Sequence, residues 1–423
     1  MIYVSTRQAS APVDAAAAIR AGAAPDGGLY MPAALPVLDI EQFDPARPLA
    51  QTAADILAPF LAGSPLEGEA RAMAADAFNF LLKSVDLGQL SVLELFHGPT
   101  GAFKDFGARF LFRCLDRIAG ADAPVSVLAA TSGDTGGAVG CAAEGRAHAR
   151  AVILFPKGRI SAFQEHQLCC WRAPVRALRV DGDFDACQTL VKQAFADPQL
   201  SARHGLTSAN SISIGRLLPQ VCYWAHAALG HAAQAGQAPG LIIPSGNLGN
   251  ALAALIARNL GFPVGPVVLA TNANATLADW ARHGVFEPRA SIATLANAMD
   301  VGAPSNFERL GALPDRAIHS VASVHDDDIR ATIRRWHGET GYIACPHTAT
   351  GLAAFDRLDA DAQKERPWIV AATAHPFKFA DAVEPVINAE IAAPDNLAGV
   401  LERPVEVTDI RADLTELAAA LAH

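Results

Sequence analysis

Lys104 is the residue whose surroundings most clearly favour chemistry. It lies in the stretch 97–107, which reads His-Gly-Pro-Thr-Gly-Ala-Phe-Lys-Asp-Phe-Gly. Apolar residues follow it at three- and four-residue spacing, Phe106 and Phe110 among them, and predict a helix that begins at the lysine. The positive end of the helix dipole and the neighbouring Phe103 disfavour the charged ammonium form. A neutral amine attacks carbonyl groups, so Lys104 is a candidate for Schiff-base formation.

A second candidate segment is 131–137, Thr-Ser-Gly-Asp-Thr-Gly-Gly, which follows an apolar run and opens a predicted helix. Hydroxyl groups, glycines and free backbone amides at a helix N-terminus favour an anion. The segment is therefore a candidate anion site. An ordinary helix-capping loop would have the same composition, and both interpretations stay open for this segment alone.

A third segment, 244–250, reads Pro-Ser-Gly-Asn-Leu-Gly-Asn and again connects a predicted strand to a predicted helix. Gly246 and Gly249 allow the backbone to approach a ligand, and the amides that precede a helix favour a phosphate. The spacing differs from the glycine patterns of dinucleotide-binding folds and nucleoside triphosphatases. The segment is a candidate phosphate loop, with a tight strand-to-helix turn as the alternative.

Two further segments offer polar side chains. The stretch 207–216 contains Asn210, Ser211 and Arg216, and arginine suits bidentate contact with a phosphate or carboxylate. A solvated surface arginine is the alternative. Thr373 follows an apolar run and places a hydroxyl at a predicted strand end, where it could bind a neutral ring nitrogen.

The elements that must position these residues alternate between short apolar runs and helical patterns from Leu93 onward. This alternation predicts an α/β fold with mainly parallel sheets, in which ligands bind at the carboxyl ends of the strands. Strands are predicted at 125–130, 151–155, 175–180, 241–243, 267–271 and 368–372, and helices at 184–196, 216–229, 251–260 and 276–283.

The length of 423 residues predicts two or three domains. Residues 1–90 read as an N-terminal module with helices at 13–20, 51–58 and 67–83. Residues 91–215 are predicted to form a smaller α/β domain that carries Lys104. Residues 216–423 are predicted to form a larger α/β domain that carries the 244–250 loop.

Composition excludes several classes of protein. Lys and Arg number 33 against 43 Asp and Glu, and no basic cluster suggests nucleic-acid binding. No apolar stretch approaches the ~20 residues of a membrane span, and the N-terminus lacks a signal-peptide pattern. Seven cysteines without C-x-x-C spacing indicate reduced thiols in the cytoplasm. The histidines include no ligand pair, so we expect no metal.

A Schiff-base lysine combined with a phosphate loop far away in the sequence describes a pyridoxal phosphate site on an α/β scaffold. The chain resembles the bacterial threonine synthases, which belong to the tryptophan-synthase-β-like (fold type II) pyridoxal phosphate enzymes. The likeness spans nearly the whole chain, and the matching motifs occur in order: HGPTGAFKDFG (97–107), TSGDTGGA (131–138), NSISIGR (210–216), PSGNLGN (244–250), NAMDVGAPSNFER (297–309) and ATAHPFKF (372–379).

The resemblance implies a set of cofactor-binding residues. Lys104 corresponds to the Schiff-base lysine, with Phe103 beside the cofactor. Asp134 occupies the place where related enzymes have an asparagine near the ring hydroxyl, and Thr373 that of the hydroxyl residue facing the ring nitrogen. The loop that holds the cofactor phosphate corresponds to Gly246, Asn247, Leu248, Gly249 and Asn250.

The resemblance also implies substrate-binding residues and a few departures. Ser132 and Thr135 are similar to residues that bind the substrate carboxylate or phosphate, and Asn210, Ser211 and Arg216 to residues that bind the substrate phosphate. The chain departs from the family pattern at three positions, none of which removes a chemical group: Leu248 replaces a common phenylalanine, Phe377 a usual alanine, and Gln8 a frequent glycine.

The implied activity is that of a lyase that converts O-phospho-L-homoserine and water to L-threonine and phosphate, by γ-elimination and β-replacement. A phospholyase or a threonine dehydratase would use the same cofactor contacts. A non-catalytic ligand-binding relative would not need Lys104, and a dinucleotide-binding protein would need a different glycine pattern. Monomer and homodimer both stay open.

Overall fold

The structure is a computed structural model and describes residues 1–121, 123–131 and 133–422. The strands are β1 (Tyr3–Ser5), β2 (Tyr30–Pro32), β3 (Lys83–Asp86), β4 (Ser91–Glu94), β5 (Val125–Ala130), β6 (Ala149–Pro156), β7 (Val175–Asp181), β8 (Leu206–Thr207), β9 (Gly240–Pro244), β10 (Val267–Thr271), β11 (Ser320–Ser323), β12 (Trp368–Ala372) and β13 (Thr408–Arg411).

The α-helices are α1 (Ala15–Ala21), α2 (Leu49–Leu61), α3 (Ala70–Ala77), α4 (Lys104–Ile118), α5 (Asp134–Ala143), α6 (Ala162–Cys169), α7 (Phe184–Ala196), α8 (Pro198–His204), α9 (Ile214–Ala235), α10 (Gly249–Asn259), α11 (Thr276–His283), α12 (Phe307–Leu310), α13 (Asp326–Thr340), α14 (Pro346–Asp356), α15 (Ala360–Glu365), α16 (Ala380–Ile387), α17 (Asp395–Leu401) and α18 (Leu414–Ala422). Short 3₁₀ helices lie at Ile40–Gln42, Asn297–Met299 and Pro376–Phe379.

Two sheets organise the molecule. The larger sheet has the order β11-β10-β9-β12-β4-β3 and is parallel except for the β3–β4 pair. The smaller sheet has the order β13-β7-β6-β5-β8 and is parallel throughout. β9, β10 and β12 are buried along their whole length, as expected of parallel strands covered on both faces by helices. The predicted α/β class with mainly parallel sheets is confirmed.

The sheets do not follow chain order. β3 and β4 come early in the sequence but complete one edge of the larger sheet, whereas β13, near the C-terminus, completes one edge of the smaller sheet. Strands from 91–215 and from 216–423 therefore occur in both sheets. The domain boundaries proposed from the sequence stay a prediction.

The N-terminal helices differ from expectation in two places. α2 continues through Pro59 to Leu61 instead of ending before the proline, because Phe60 and Leu61 are buried in the main core. The proline lies in the last turn, where loss of one backbone hydrogen bond is least disruptive. α3 ends at Ala77, and the chain then extends into β3, so the helix predicted over 67–83 is wrong beyond Ala77.

Within the described residues, no helix combines the length and apolar character needed to cross a bilayer. In the same residues, no group of three or more His, Cys, Asp or Glu side chains is arranged to hold a metal ion.

Candidate active site

Lys104 is the first residue of α4, as predicted, and two backbone hydrogen bonds fix its position. The amide of Phe103 donates to the carbonyl of Thr373 at 2.8 Å, and the amide of His375 donates to the carbonyl of Gly101 at 2.9 Å. Residues 101–103 therefore lie against the segment that follows β12. This pairing places Lys104 at the carboxyl end of the larger sheet.

The turn before Lys104 is held by the buried carboxylate of Asp105. Its two oxygens accept hydrogen bonds from the amide of Thr100 at 2.9 Å and from the Thr100 hydroxyl at 2.7 Å. Burial raises the pKa of Asp105 to about 6, although these hydrogen bonds act in the opposite direction. Gly98 is required here because a Cβ would lie 2.4 Å from an Asp105 oxygen.

Charged groups surround the Lys104 amine. Nζ lies 3.8 Å from Oδ2 of Asp134, and Oδ1 of Asp134 lies 2.8 Å from Nζ of Lys378. Burial lowers the pKa of Lys104, Asp134 raises it, and Arg216 and Lys378 lower it again, so that the net pKa falls below its ordinary value. The neutral amine therefore forms more readily than on an exposed lysine.

Asp134 is the carboxylate of this group. Burial alone raises its pKa, but Lys378 and Lys104 outweigh burial and hold the pKa below the ordinary value. The side chain belongs to the first residue of α5, which follows β5 of the smaller sheet. The Lys104–Asp134 pair thus lies between the carboxyl ends of the two sheets.

The 246–250 loop lies next to this position because β9, which precedes it, pairs with β12. Among the described residues, its five amides, from Gly246 to Asn250, have no hydrogen-bond acceptor. Leu248 adopts the left-handed conformation (φ 64°) and precedes α10. Consecutive free amides around such a residue at a helix start form a concave site for an anion.

Gly246 serves packing in this loop. A Cβ at Gly246 would lie 2.8 Å from Cα of Met299, in the backbone of a 3₁₀ helix, whereas a Cβ at Gly249 would meet its nearest neighbour, Asn306, at 3.7 Å. The sequence argument gave glycine at 246 the purpose of letting a ligand approach. The structure assigns it to close contact with the 297–299 segment.

Side chains tie the loop to neighbouring segments. Asn247 donates from Nδ2 to the Ser211 hydroxyl at 2.6 Å and accepts at Oδ1 from the amide of Ser305 at 2.6 Å. Asn306 donates to the carbonyl of Asn247 at 2.9 Å, and Arg309 donates to Oδ1 of Asn306 at 2.6 Å. Asn247 and Ser211, predicted for different ligands, are therefore direct partners.

Asn250 is oriented by two aromatic residues. Its Oδ1 accepts hydrogen bonds from the Tyr223 hydroxyl and from Nε1 of Trp224, both at 2.7 Å. Its buried Nδ2 has no acceptor among the described residues. The fixed amide can therefore donate to an anion held by the loop.

Arg216 is a buried cation without a carboxylate partner among the described residues. The residue is only 4% exposed, and its Nη1 donates to the carbonyl of Ala209 at 2.6 Å while its Nε has no acceptor. A Cβ on Gly107 would lie 3.3 Å from Nε, so the guanidinium packs on the first turn of α4. Burial lowers its pKa to about 10. An uncompensated buried cation is costly, and an anionic ligand would remove that cost.

The remaining predicted site residues differ in how exposed they are. Thr373 is buried, Phe103 and Thr135 are half-buried, and Asn210 is exposed. Within the described residues, no hydrogen bond joins the Asn210 side chain to Arg216 or Ser211. The backbone amide of Asn210 donates to the Ser208 hydroxyl. Ser132 lies outside the described residues.

Sequence reasoning missed several buried polar residues around the site. Lys378 contacts Asp134, and Arg309 donates to the carbonyls of Tyr30 and Ile212 at 2.9 and 2.7 Å. His347 accepts from the amide of Ala298 at 3.1 Å. Lys378 and Arg309 lie inside motifs quoted from the sequence, and their charges among apolar neighbours were the available signal.

These residues fit pyridoxal phosphate. Lys104 offers an amine with a lowered pKa, and the 246–250 loop offers free amides for a phosphate. Residues 101–103 lie against the segment that follows β12, and the loop follows β9, the strand that pairs with β12. The cofactor expected from the sequence therefore has a place for its reactive carbon and for its phosphate.

Comparisons with known proteins agree with this site. Residues 82–373 match the family described as pyridoxal-phosphate dependent enzyme, residues 2–78 the threonine synthase N terminus, and residues 348–421 the threonine synthase C-terminal region. The threonine synthase of Serratia marcescens is 39% identical over 96% of this chain and 95% of its own length.

Solved structures give the same result over the whole chain. The threonine synthase from Escherichia coli has a TM-score of 0.88 at 36% identity, and the pyridoxal-phosphate-bound threonine synthase from Brucella melitensis has 0.92 at 32% identity. Each comparison covers 100% of this chain and 99% of the other. The chain belongs to the pyridoxal-phosphate dependent enzymes of fold type II and, within them, to the threonine synthases.

Proposed function

We propose that the chain converts O-phospho-L-homoserine and water to L-threonine and phosphate, with pyridoxal phosphate as its cofactor. The observation that carries the proposal is that the site offers two separate sets of donors without acceptors among the described residues. The amides of 246–250 suit the cofactor phosphate, and the Arg216 guanidinium, which has no carboxylate partner in the part of the chain that the structure describes, suits a second anion. A substrate that carries its own phosphate accounts for the second site.

Lys104 is the proposed proton-transfer group. When bound, pyridoxal phosphate supplies an aldehyde that condenses with amines and a conjugated ring that accepts negative charge from neighbouring carbons. Once a substrate amine displaces it from the aldehyde, the Lys104 amine can accept and return protons at the α and β carbons of the substrate. Its lowered pKa suits both directions of transfer.

Arg216 is the proposed partner of the substrate phosphate. The guanidinium would neutralise charge on the leaving phosphate at the γ carbon. The Ser211 hydroxyl accepts a hydrogen bond from Asn247, a residue of the 246–250 loop. Its proposed role in binding the substrate phosphate rests on this position. Asn210, Ser132 and Thr135 stay proposals from the family likeness.

Thr373 and Phe103 are the proposed neighbours of the cofactor ring. The two residues are adjacent, because the Phe103 amide donates a hydrogen bond to the Thr373 carbonyl. A neutral hydroxyl at Thr373 would leave the ring nitrogen unprotonated, which moderates the electron demand of the ring. That property is consistent with elimination and replacement and disfavours transamination.

The test is product identification. The protein, loaded with pyridoxal phosphate, is incubated with O-phosphohomoserine, and both products are measured. We expect threonine and phosphate in equal amounts. Phosphate accompanied by a 2-keto acid would indicate a phospholyase or dehydratase-like lyase instead, and no phosphate release would indicate a non-catalytic ligand-binding relative.

We also propose a cytoplasmic location. All seven cysteines are free thiols in the structure, and six of them are buried. Burial raises the pKa of several of these thiols, to about 11 for Cys187, so that they stay protonated and unreactive. Free buried thiols are typical of proteins in a reducing compartment.

A further inference from the structure

Lys378 is a buried lysine whose role the activity does not explain. It lies in the 3₁₀ helix Pro376–Phe379, directly after the segment that pairs with residues 101–103. Its side chain is 1% exposed. A lysine in such a position needs partners for its charge and for its three protons.

Three acceptors from three different segments surround its Nζ. They are the carbonyl of Thr100 at 2.7 Å, Oε1 of Gln167 at 2.7 Å and Oδ1 of Asp134 at 2.8 Å. Gln167 also donates to the carbonyl of Thr100 at 3.1 Å. Two of these contacts are hydrogen bonds and the third is an ion pair with Asp134, so Lys378 is held from three directions.

The arrangement links two parts of the Lys104 site. Thr100 belongs to the turn that Asp105 holds just before Lys104, and Asp134 presents its other oxygen, Oδ2, to Lys104 at 3.8 Å. One ammonium group therefore sets the position of the carboxylate beside Nζ and of the turn that carries Nζ.

The positive charge of Lys378 also affects the Asp134 carboxylate. The Asp134 carboxylate has two nearby cations, Lys104 and Lys378. Loss of the proton from the Lys104 nitrogen, which its link to the cofactor would favour, would remove one of these two cations. Lys378 then supplies the cation that stays with Asp134.

We propose that Lys378 is a positioning residue of the Lys104 site, which keeps Asp134 ionised and directed at the nitrogen of Lys104 throughout the reaction. The inference rests on the proposed function, because it concerns the linkage between Lys104 and pyridoxal phosphate. It adds a residue whose effect on that linkage is electrostatic.

The charged and titratable groups that face Lys104 define what a test must hold constant. They are Asp134 from α5, Arg216 from α9, Lys378 from the 3₁₀ helix and His347 from α14, the last of which acts on Asp134 and Lys104 together. Burial lowers the pKa of His347 to about 4, so this side chain stays neutral near neutral pH. Of these charged and titratable groups, the experiment below changes only Lys378 and Asp134.

The experiment is a pH titration of the visible absorbance of the cofactor-loaded protein. In Lys378→Met, the Lys104 nitrogen is the one cation of this pair left beside Asp134. The Lys104 nitrogen therefore holds its proton more tightly. We expect the midpoint of the absorbance titration to rise by about one pH unit or more. The double variant Lys378→Met/Asp134→Asn removes both charges, and its midpoint should return toward that of the unsubstituted protein.

Gln167→Leu is the matched control, because it removes a neutral partner of Lys378 and leaves every charge in place. We expect weaker cofactor binding with an unchanged midpoint. An equal shift in Gln167→Leu, or no shift in Lys378→Met, would overturn the proposal and reduce Lys378 to a packing role.

Two further outcomes are distinguishable. If Lys378→Met does not fold, the proposal predicts that the double variant does, since it removes the Asp134 carboxylate together with the closer of its two cations. Failure of both variants would overturn the proposal. If the unsubstituted protein shows no visible absorbance with pyridoxal phosphate, the proposed function itself fails, and the comparison of variants is not reached.

Discussion

Arg216 illustrates how burial gives a common residue type a specific role. The sequence left a solvated surface arginine as an alternative, whereas the side chain is buried, bound to one carbonyl, and without a carboxylate partner among the described residues. A charge-assisted hydrogen bond to a phosphate contributes ~1.5–3 kcal/mol. That magnitude sets the size of the effect expected from its removal.

Arg216→Ala should lower kcat/KM for O-phosphohomoserine by at least ~10-fold, since ~1.4 kcal/mol corresponds to a factor of ten. Cofactor affinity should change little, because the 246–250 loop and Lys104 remain. Steady-state kinetics and cofactor titration measure the two effects. Arg334→Ala, at an exposed arginine of α13, is the control. A variant that loses the cofactor but turns over normally after reconstitution would place Arg216 at the cofactor.

Single residues also show what the sequence could not reveal. Gln8 stands where the family pattern favours glycine, and its backbone is left-handed (φ 59°), which explains the preference for glycine. Leu248 adopts the same conformation within the cofactor loop. A local pattern identifies a turn, but the sign of φ depends on how the flanking strand and helix meet.

At the scale of elements, the apolar runs of the sheets were predicted well. β5, β10 and β12 have the predicted bounds, because continuous buried β-branched and aliphatic residues between turn residues leave few alternatives. α7 and α11 also match their predicted bounds. The N-terminal module was predicted less well, because tertiary burial carried α2 past Pro59 and β3 replaced the end of a helical pattern.

The contact between the 246–250 loop and the 297–299 segment gives a prediction for two elements. Gly246→Ala should destabilise the protein without cofactor by about 1–3 kcal/mol, because its Cβ would meet the Met299 backbone at 2.8 Å. Its cofactor affinity should fall as the loop moves. Gly249→Ala is the matched control, with ordinary contacts only. Denaturant unfolding of both variants is the measurement, and equal stability would contradict the assignment.

At the scale of the whole molecule, the site depends on segments far apart in the chain. Lys104, Asp134, Arg216 and Lys378 come from four elements, and the two sheets that carry them exchange strands between the early and late parts of the sequence. Motifs identified Lys104, Asp134 and Arg216 as candidate site residues. They did not identify Gln167 or His347, because hydrogen bonds over such separations leave no local pattern.

His347 connects this site to the pH dependence of global stability. Its pKa is lowered from 6.5 to about 4 by burial, so below about pH 6.5 the unfolded chain binds a proton that the folded protein does not. Stability should therefore fall between these two values as the pH is lowered. The His347→Gln variant can still accept a hydrogen bond from the Ala298 amide, but its side chain does not titrate. Its loss of stability over this pH range should therefore be smaller than that of the unsubstituted protein, by up to roughly 3 kcal/mol.

Urea unfolding at about pH 7 and about pH 4.5 measures this difference. His283→Gln, at an exposed histidine at the end of α11, is the control and should behave as the unsubstituted protein. Parallel losses in His347→Gln and the unsubstituted protein would show that His347 is not protonated preferentially in the unfolded chain.

The central claim is that Lys104 carries the cofactor, and borohydride reduction of the loaded protein tests it most directly. Reduction makes the link between the cofactor and its lysine permanent, and peptide mapping then identifies which of the six lysines is labelled. The account predicts label on Lys104 alone, since the buried Lys378 is held by two hydrogen bonds and by its ion pair with Asp134. Label on Lys378 or on any other lysine, or no label at all, would contradict it.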